Sequence, residues 1–262
     1  MTLLLFLNGD LGLKVLSFFA GISEHKIAAV VLNSEDKRTP DYLENIRGVL
    51  ELYEVDIPII LWGNETFQLE KIVAESNFPI YGVSALFGHV IPLSLIKGIS
   101  GGILNLHPSL LPFGRGANPI SWGILKEQPQ GISLHLVDEH LDTGDILFQK
   151  EIYTTINMSA GEIYELAMIE LFQLFTEYFP KWVSKEQLPT PQKNIGTSAH
   201  HSRELKALEV IKSEEVASFN EFVKRLQATT FSDGRRPLFR DSMGKIWVVD
   251  FKISKFHKFG EK

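Results

Sequence analysis

Asn105 and His107, two positions apart in Ile103-Leu104-Asn105-Leu106-His107-Pro108-Ser109-Leu110-Leu111-Pro112, are the side chains best spaced to do chemistry together. Ile103, Leu104 and Leu106 read as a short buried strand, and strand alternation sets Asn105 and His107 on the same side of it. Pro108 and Pro112 stop the ladder just past His107. Both polar groups therefore emerge at a strand end, where an open α/β sheet places its ligand crevice. A second stretch, Leu141-Asp142-Thr143-Gly144-Asp145, supplies a carboxylate. An amide donor, an imidazole and a carboxylate can together stabilise a developing oxyanion and move protons. Read from the residues alone, a plainer alternative is the stronger one. An Asn-x-His in a strand is more often a satisfied hydrogen-bonding pair, and the two stretches need not meet in space.

The elements that must position these groups alternate. Leu3 to Leu7 is a continuous apolar run, as in a strand covered on both faces, and Asn8-Gly9-Asp10 turns it into a helix carrying Leu13, Leu16 and Phe19. That glycine turn lacks the spacing of a dinucleotide-binding loop. Ile27 to Leu32, Ile57 to Trp62 and Pro79 to Ala85 read as further strands, with helices from about Tyr42 to Tyr53 and from Thr66 to Ser76 between them. Such short alternation predicts an α/β fold, a mostly parallel sheet wound with helices on both faces. Gly131 to Val137 alternates through Ile132, Leu134 and Leu136, with His135 on the other face. Asp145 to Gln149 starts another strand, ending near Thr154. Ser159-x-x-Glu162 is a capping box that opens a long helix with Ile163, Leu166, Ala167, Ile169, Leu171, Leu174 and Phe175 on its apolar stripe.

At Leu188-Pro189-Thr190-Pro191 the periodicity breaks, and a boundary is expected there. Residues 1–190 are expected to form the larger domain and 191–262 a small α+β appendage, with a helix from Ser218 to Gln227 and a β-hairpin from the apolar segments Pro237-Leu238-Phe239 and Ile246-Trp247-Val248-Val249. His200-His201 are expected in a solvated linker, and Lys255 to Lys262 as a frayed end.

Composition narrows the function. A net charge of −6 argues against free nucleic acid as a partner. Without cysteine there is neither a disulfide framework nor a thiolate metal site, and the 8 histidines show no ligand spacing, so no metal is expected. The apolar opening from Thr2 to Leu7 lacks a basic flank and breaks at Asn8. It is too short for a signal segment or a membrane span, which leads to the expectation of a cytoplasmic protein with no membrane partner.

The run from Tyr81 to Gln149 holds Ser84-Ala85-Leu86-Phe87-Gly88-His89-Val90-Ile91-Pro92, then Asn105-Leu106-His107-Pro108-Ser109-Leu110-Leu111-Pro112, Arg115-Gly116 and Leu141-Asp142-Thr143-Gly144. It resembles the folate-dependent formyltransferases. The resemblance implies a Rossmann-like formyltransferase fold and N10-formyltetrahydrofolate as formyl donor. It also implies catalytic roles for Asn105, His107 and Asp142, with His135 in support. It places the folate against Phe87, Gly88, His89, Val90, Ile91, Val137 and Asp138, and the acceptor near Gly9, Arg115 and Asn118. By its own chemistry Asp138 reads as a turn residue, and the apolar Phe87 to Ile91 loop suits a flat heteroaromatic ring no better than it suits a plain sheet-to-helix turn.

The tail is similar to that of the nucleotide-sugar N-formyltransferases, although where they carry Arg-Ala this chain has Gln227-Ala228, with Arg225 set earlier. That resemblance implies as acceptor the amine of a dTDP-linked amino-dideoxyhexose for a surface polysaccharide such as lipopolysaccharide O-antigen, and a homodimer. Two other readings stay within the fold. One is an N10-formyltetrahydrofolate hydrolase, with water in place of the amine; the other is a folate-binding protein without turnover.

Overall fold

The apolar run Thr2 to Leu7 becomes β1 (Thr2–Leu7), buried at every position and therefore able to lie only in the middle of a sheet. The structure, a computed structural model, describes residues 1–22, 24–33, 39–63, 67–193, 199–212, 215 and 218–253. Thr66 and the expected frayed end from Lys255 to Lys262 lie outside the described residues. The chain divides into two compact units. The first holds Met1–His107, Ser133–Gln149 and Glu170–Lys193; the second holds Pro108–Ile132, Lys150–Ile169 and Asn194–Lys262.

Around β1 run β2 (Lys26–Leu32), β3 (Ile59–Leu61), β4 (Ile80–Ala85), β5 (Ile103–His107), β6 (Gly131–Leu136) and β7 (Ile146–Glu151), in the sheet order β3-β2-β1-β4-β5-β6-β7. The pairs among β1 to β5 are parallel, and β6 runs antiparallel to β5. This is the mostly parallel wound α/β sheet expected. The connecting helices are α1 (Gly9–Ala20), α2 (Thr39–Leu52), α3 (Phe67–Glu75) and α4 (Leu93–Gly98).

Two differences from the sequence reading have local causes. β3 is shorter than Ile57 to Trp62 because Pro58 has no N–H to give; its carbonyl still accepts the Val30 N–H at 3.0 Å. The short α4 carries too little periodicity to be read, and is started by the Pro92 carbonyl, which accepts the Leu95 and Ile96 N–H groups at 3.0 Å each. β6 alternates less than its sequence, since five of its six residues are buried.

One apolar cluster joins Leu4 and Phe6 of β1 to Ala29, Val31, Ile60, Ile91 and Leu95. A second is aromatic. Phe18 and Phe19 of α1 meet Phe175, and Phe19 also meets Phe179, all in edge-on contacts with ring centroids 5.0–5.7 Å apart. Each fully buried side chain of these clusters contributes about 2 kcal/mol.

In the second unit α5 (Pro119–Leu125) lies against α8 (Phe219–Thr229), and the buried Ser121 hydroxyl donates to the Ala228 carbonyl at 2.7 Å. The start of α6 (Ala160–Val183) carries the expected capping box. The Glu162 carboxylate accepts the Ser159 N–H at 2.7 Å, and the Ser159 hydroxyl accepts the Glu162 N–H at 3.3 Å. Beyond α7 (Ser202–Lys206), β9 (Leu238–Arg240) and β10 (Ile246–Val248) form the expected hairpin. β8 (Val210–Lys212), absent from the sequence reading, pairs parallel with β9 and makes a small three-stranded sheet.

The expectation for His200 is corrected. Its ring stacks on Trp122 with centroids 4.0 Å apart, its Nδ1 lies 2.9 Å from Glu204, and its side chain is 11% exposed. Two adjacent histidines in a polar stretch look like linker. A tryptophan far away in sequence supplies the flat partner that the local pattern cannot show.

Candidate functional site

At the end of β5, Asn105 faces His135 across the antiparallel pair with β6, and His107 faces Ser133. The reversal of β6 is what sets an imidazole beside the amide. His135 Nδ1 lies 2.8 Å from the carbonyl oxygen of Leu136, an acceptor, so Nδ1 carries the proton and donates. Nε2 is then a lone pair, and it accepts from Asn105 Nδ2 at 3.0 Å. This fixes the Asn105 amide. One Nδ2 hydrogen is taken by His135, and the other has Asp142 Oδ1 only at 3.5 Å, the limit of a hydrogen bond.

Asp142 arrives from the loop after β6. Its backbone is left-handed, with φ 54°, and Gly144 presses so closely on β6 that a Cβ there would sit 1.9 Å from the Leu136 carbonyl oxygen. The turn brings Asp142 Oδ2 to 3.7 Å from His107 Nδ1 and Oδ1 to 3.5 Å from His135 Nε2. The three side chains are 7%, 10% and 2% exposed for His107, Asp142 and His135, so the charge lies where water screens it weakly. Asn105, His107 and Asp142 are thus brought together, and the two sequence stretches do meet. With Nδ1 facing the carboxylate, an imidazolium at His107 would be supported on one edge and could donate from Nε2 on the other.

The donor atoms of His107, His135 and Asp142 all lie within 4.8 Å of one another, a set that could hold a metal ion. Both nitrogens of His135 are already committed, one to Leu136 and one to Asn105, so an ion would have to displace the amide.

The residues expected to line the folate differ in their surroundings. Phe87, Ile91 and Val137 pack on the apolar cluster around Phe6. Gly88 is held by its N–H, which donates to Asn33 Oδ1 at 3.0 Å. His89 stacks on Trp62, ring centroids 5.9 Å apart and planes 21° from parallel, and burial lowers its pKa below the ordinary value. Val90 is 64% exposed. Asp138 acts within its own turn, accepting the His140 N–H at 3.0 Å and the Thr143 hydroxyl at 2.7 Å.

Neither Trp62 nor Asn33 was read from the sequence as a site residue. Each is the residue that follows a parallel strand, β3 and β2, at the carboxyl ends where an open sheet binds ligands, and that position was the available signal. Of the residues expected near the acceptor, Gly9 begins α1 in the first unit with φ 60°. Arg115 and Asn118 share a loop of the second unit; the Arg115 carbonyl accepts the His200 N–H at 3.0 Å, and Asn118 caps α5 in the left-handed region.

Comparison with known proteins matches residues 21–170 to the formyl transferase family. A methionyl-tRNA formyltransferase from Clostridium perfringens is 36% identical over 130 residues, 49% of this chain and 41% of that protein. The chain therefore spans less than half the length of that relative. In fold, the chain is similar to a 4-N formyltransferase from Francisella tularensis, with a TM-score of 0.78 and 18% identity over 97% of this chain and 98% of the other. It is also similar to the N-formyltransferase from Helicobacter canadensis in complex with folinic acid and dTDP-3-aminofucose, with a TM-score of 0.68 and 17% identity over 88% of this chain and 81% of the other. The family match takes in more than half of the sequence, including Asn105, His107 and Asp142, and the chain belongs to the formyl transferase family.

Proposed function

We propose that this chain transfers a formyl group from N10-formyltetrahydrofolate to the amine of a nucleotide-linked amino sugar, a dTDP-amino-dideoxyhexose destined for a surface polysaccharide. The observation that carries the reading is the meeting of Asn105, His107 and Asp142 in a water-poor strand end. The neutral amine attacks the formyl carbon and its carbonyl becomes an oxyanion. The bond to N10 then breaks, with N10 leaving protonated. The second Asn105 Nδ2 hydrogen and His107 Nε2–H are the donors for that oxyanion, and Asp142 keeps His107 charged and relays the amine's proton to the departing N10, ending as the carboxylate it began as. The attacking nitrogen comes with the substrate, so no protein nucleophile takes part and no metal is needed.

For the donor, the support is the half-buried wall of Trp62, Phe87 and His89, suited to a flat ring. Two observations support a sugar acceptor. The likeness in fold to the Helicobacter canadensis N-formyltransferase, whose structure holds dTDP-3-aminofucose, runs over 88% of this chain and 81% of that one, and the net charge is −6. A homodimer is supported by the exposed Ile246, Trp247 and Val248 on β10, an edge of the small sheet among the described residues. A cytoplasmic site of action goes with the folate donor.

A second reading, with methionyl-tRNA as acceptor, is favoured by the sequence relatives. One experiment separates them. Purified protein is incubated with formyltetrahydrofolate and, in parallel, with a panel of nucleotide amino sugars or with initiator methionyl-tRNA, and the mass of each acceptor is followed. Formylation of a sugar is expected; formylation of the tRNA alone would overturn the sugar acceptor. Loss of formyl groups from the donor without gain on any acceptor would point to hydrolysis.

A further inference from the structure

Asp142 reaches His107 only because its turn is left-handed at a residue that carries a side chain, a conformation that costs about 1–2 kcal/mol and needs outside support. On one side that support is β6, where the Leu136 N–H donates to the Asp145 carbonyl at 2.8 Å. On the other side it is a segment that the sequence marks only as a proline-rich boundary. Pro189 and Pro191 hold the backbone around Thr190 extended, since each fixes its own φ and disfavours a helical residue before it. Thr190 is thereby free to pair, and it exchanges both backbone hydrogen bonds with Ile146, at 2.8 Å each. This registers Gln192 against the turn. Gln192 Nε2 donates to the Asp142 carbonyl at 2.9 Å and to the Gly144 carbonyl at 2.8 Å, so both hydrogens of one amide hold the two carbonyls that bracket Thr143.

We propose that Gln192 is a positioning residue for formyl transfer: its amide clamps the Asp142 and Gly144 carbonyls and so holds the Asp142 carboxylate in reach of His107. It does not touch the reacting atoms. The inference rests on the proposed role of Asp142. The geometry demands a side chain with two donors on one nitrogen at this length. Glutamate has the length without donors, asparagine has the donors without the length, and methionine has nearly the shape with neither.

The test compares Gln192→Met and Gln192→Asn with Asp142→Asn and with Gln187→Ala. Gln187 lies in the same segment, and its side-chain amide donates to the Leu147 and Leu188 carbonyls, away from the Asp142 turn, so its loss should leave turnover unchanged. Gln192→Met is expected to lower kcat by about 10- to 100-fold with the folate KM within about twofold, as a misplaced catalytic group does. Combined with Asp142→Asn it should cost nothing further, because both changes remove the same carboxylate from His107. Gln192→Asn should fall between wild type and Gln192→Met. Independently of turnover, amide hydrogen exchange over residues 142–145 should speed up in Gln192→Met while exchange in β5 does not.

A kcat near wild type in Gln192→Met, or an additive loss with Asp142→Asn, overturns the proposal for Gln192. Full activity of Asp142→Asn overturns instead the role of Asp142. Should the protein formylate no acceptor, the proposed function fails by itself, and unchanged exchange over residues 142–145 in Gln192→Met still overturns the clamp.

Discussion

In the proposed mechanism His107 and Asp142 stabilise charge that exists only in the transition state, so their removal should appear in kcat and barely in substrate affinity. Asp142→Asn keeps shape and burial but takes away the charge that holds an imidazolium; a loss of about 10²- to 10⁴-fold in kcat is expected in steady-state assays, and the same for His107→Asn. Retention of most of the turnover by either variant would refute the mechanism. His89 allows a pH test on the donor side. Burial lowers its pKa below 6.5, so the unfolded chain takes up its proton before the folded one does. Its contribution to stability is therefore complete above pH 6.5 and is lost as pH falls below that value. The stack on Trp62 should weaken in the same window, seen as a change in Trp62 fluorescence that Trp62→Phe removes and His89→Phe flattens. Asn105, His107 and Asp142 were legible as residues because motif spacing survives in the sequence. His135's tautomer was not, since it depends on which carbonyl lies beside Nδ1.

At the scale of elements, the turn after β6 is held by close packing as much as by hydrogen bonds. A methyl group on Gly144 would meet the Leu136 carbonyl at 1.9 Å, and backbone on both sides leaves little room to yield. Gly144→Ala should destabilise by about 3 kcal/mol, at the upper end for overpacking, and should also lower kcat by displacing Asp142. Urea unfolding and kinetics read the two effects separately. On α2 the opposite is expected. The Tyr42 hydroxyl is buried without a hydrogen-bond partner among the described residues, and burial, then the charge of Asp10, pushes its pKa well above 10. Because the folded value lies above the unfolded one, the tyrosine's contribution to stability is complete below pH 10 and is lost as pH rises through it. Tyr42→Phe should be neutral or stabilising by about 1 kcal/mol near neutrality and should remove the alkaline loss, measured as the urea midpoint on either side of that pH. The strands of the large sheet were legible from apolar runs of five to seven residues. The three-residue β8 and the short α4 were not: β8 is fixed by its parallel pairing with β9, and α4 is started by the Pro92 carbonyl.

For the whole molecule the open choice is the acceptor, and electrostatics can decide it without a bound structure. A protein that grips a transfer RNA neutralises many phosphates and releases their counterions, so binding weakens by roughly 10³-fold or more between about 50 and 200 mM salt. A nucleotide sugar offers a single diphosphate, and its KM should change by no more than about tenfold over the same range. The net charge of −6 sharpens the contrast, since a polyanionic acceptor approaching an acidic protein needs a concentrated basic patch to offset the overall repulsion. The acidic balance was readable in the sequence. The second unit's identity was not, because its structure depends on Trp122 meeting His200 and on α5 packing against α8, pairings between distant segments. Initial rates of formyl transfer to a dTDP-amino sugar and to initiator methionyl-tRNA, each taken across that salt series, should show a shallow slope and sustained turnover for the sugar. A steep slope accompanying efficient transfer to the tRNA would assign this chain to the other acceptor and leave the chemistry of Asn105, His107 and Asp142 as derived.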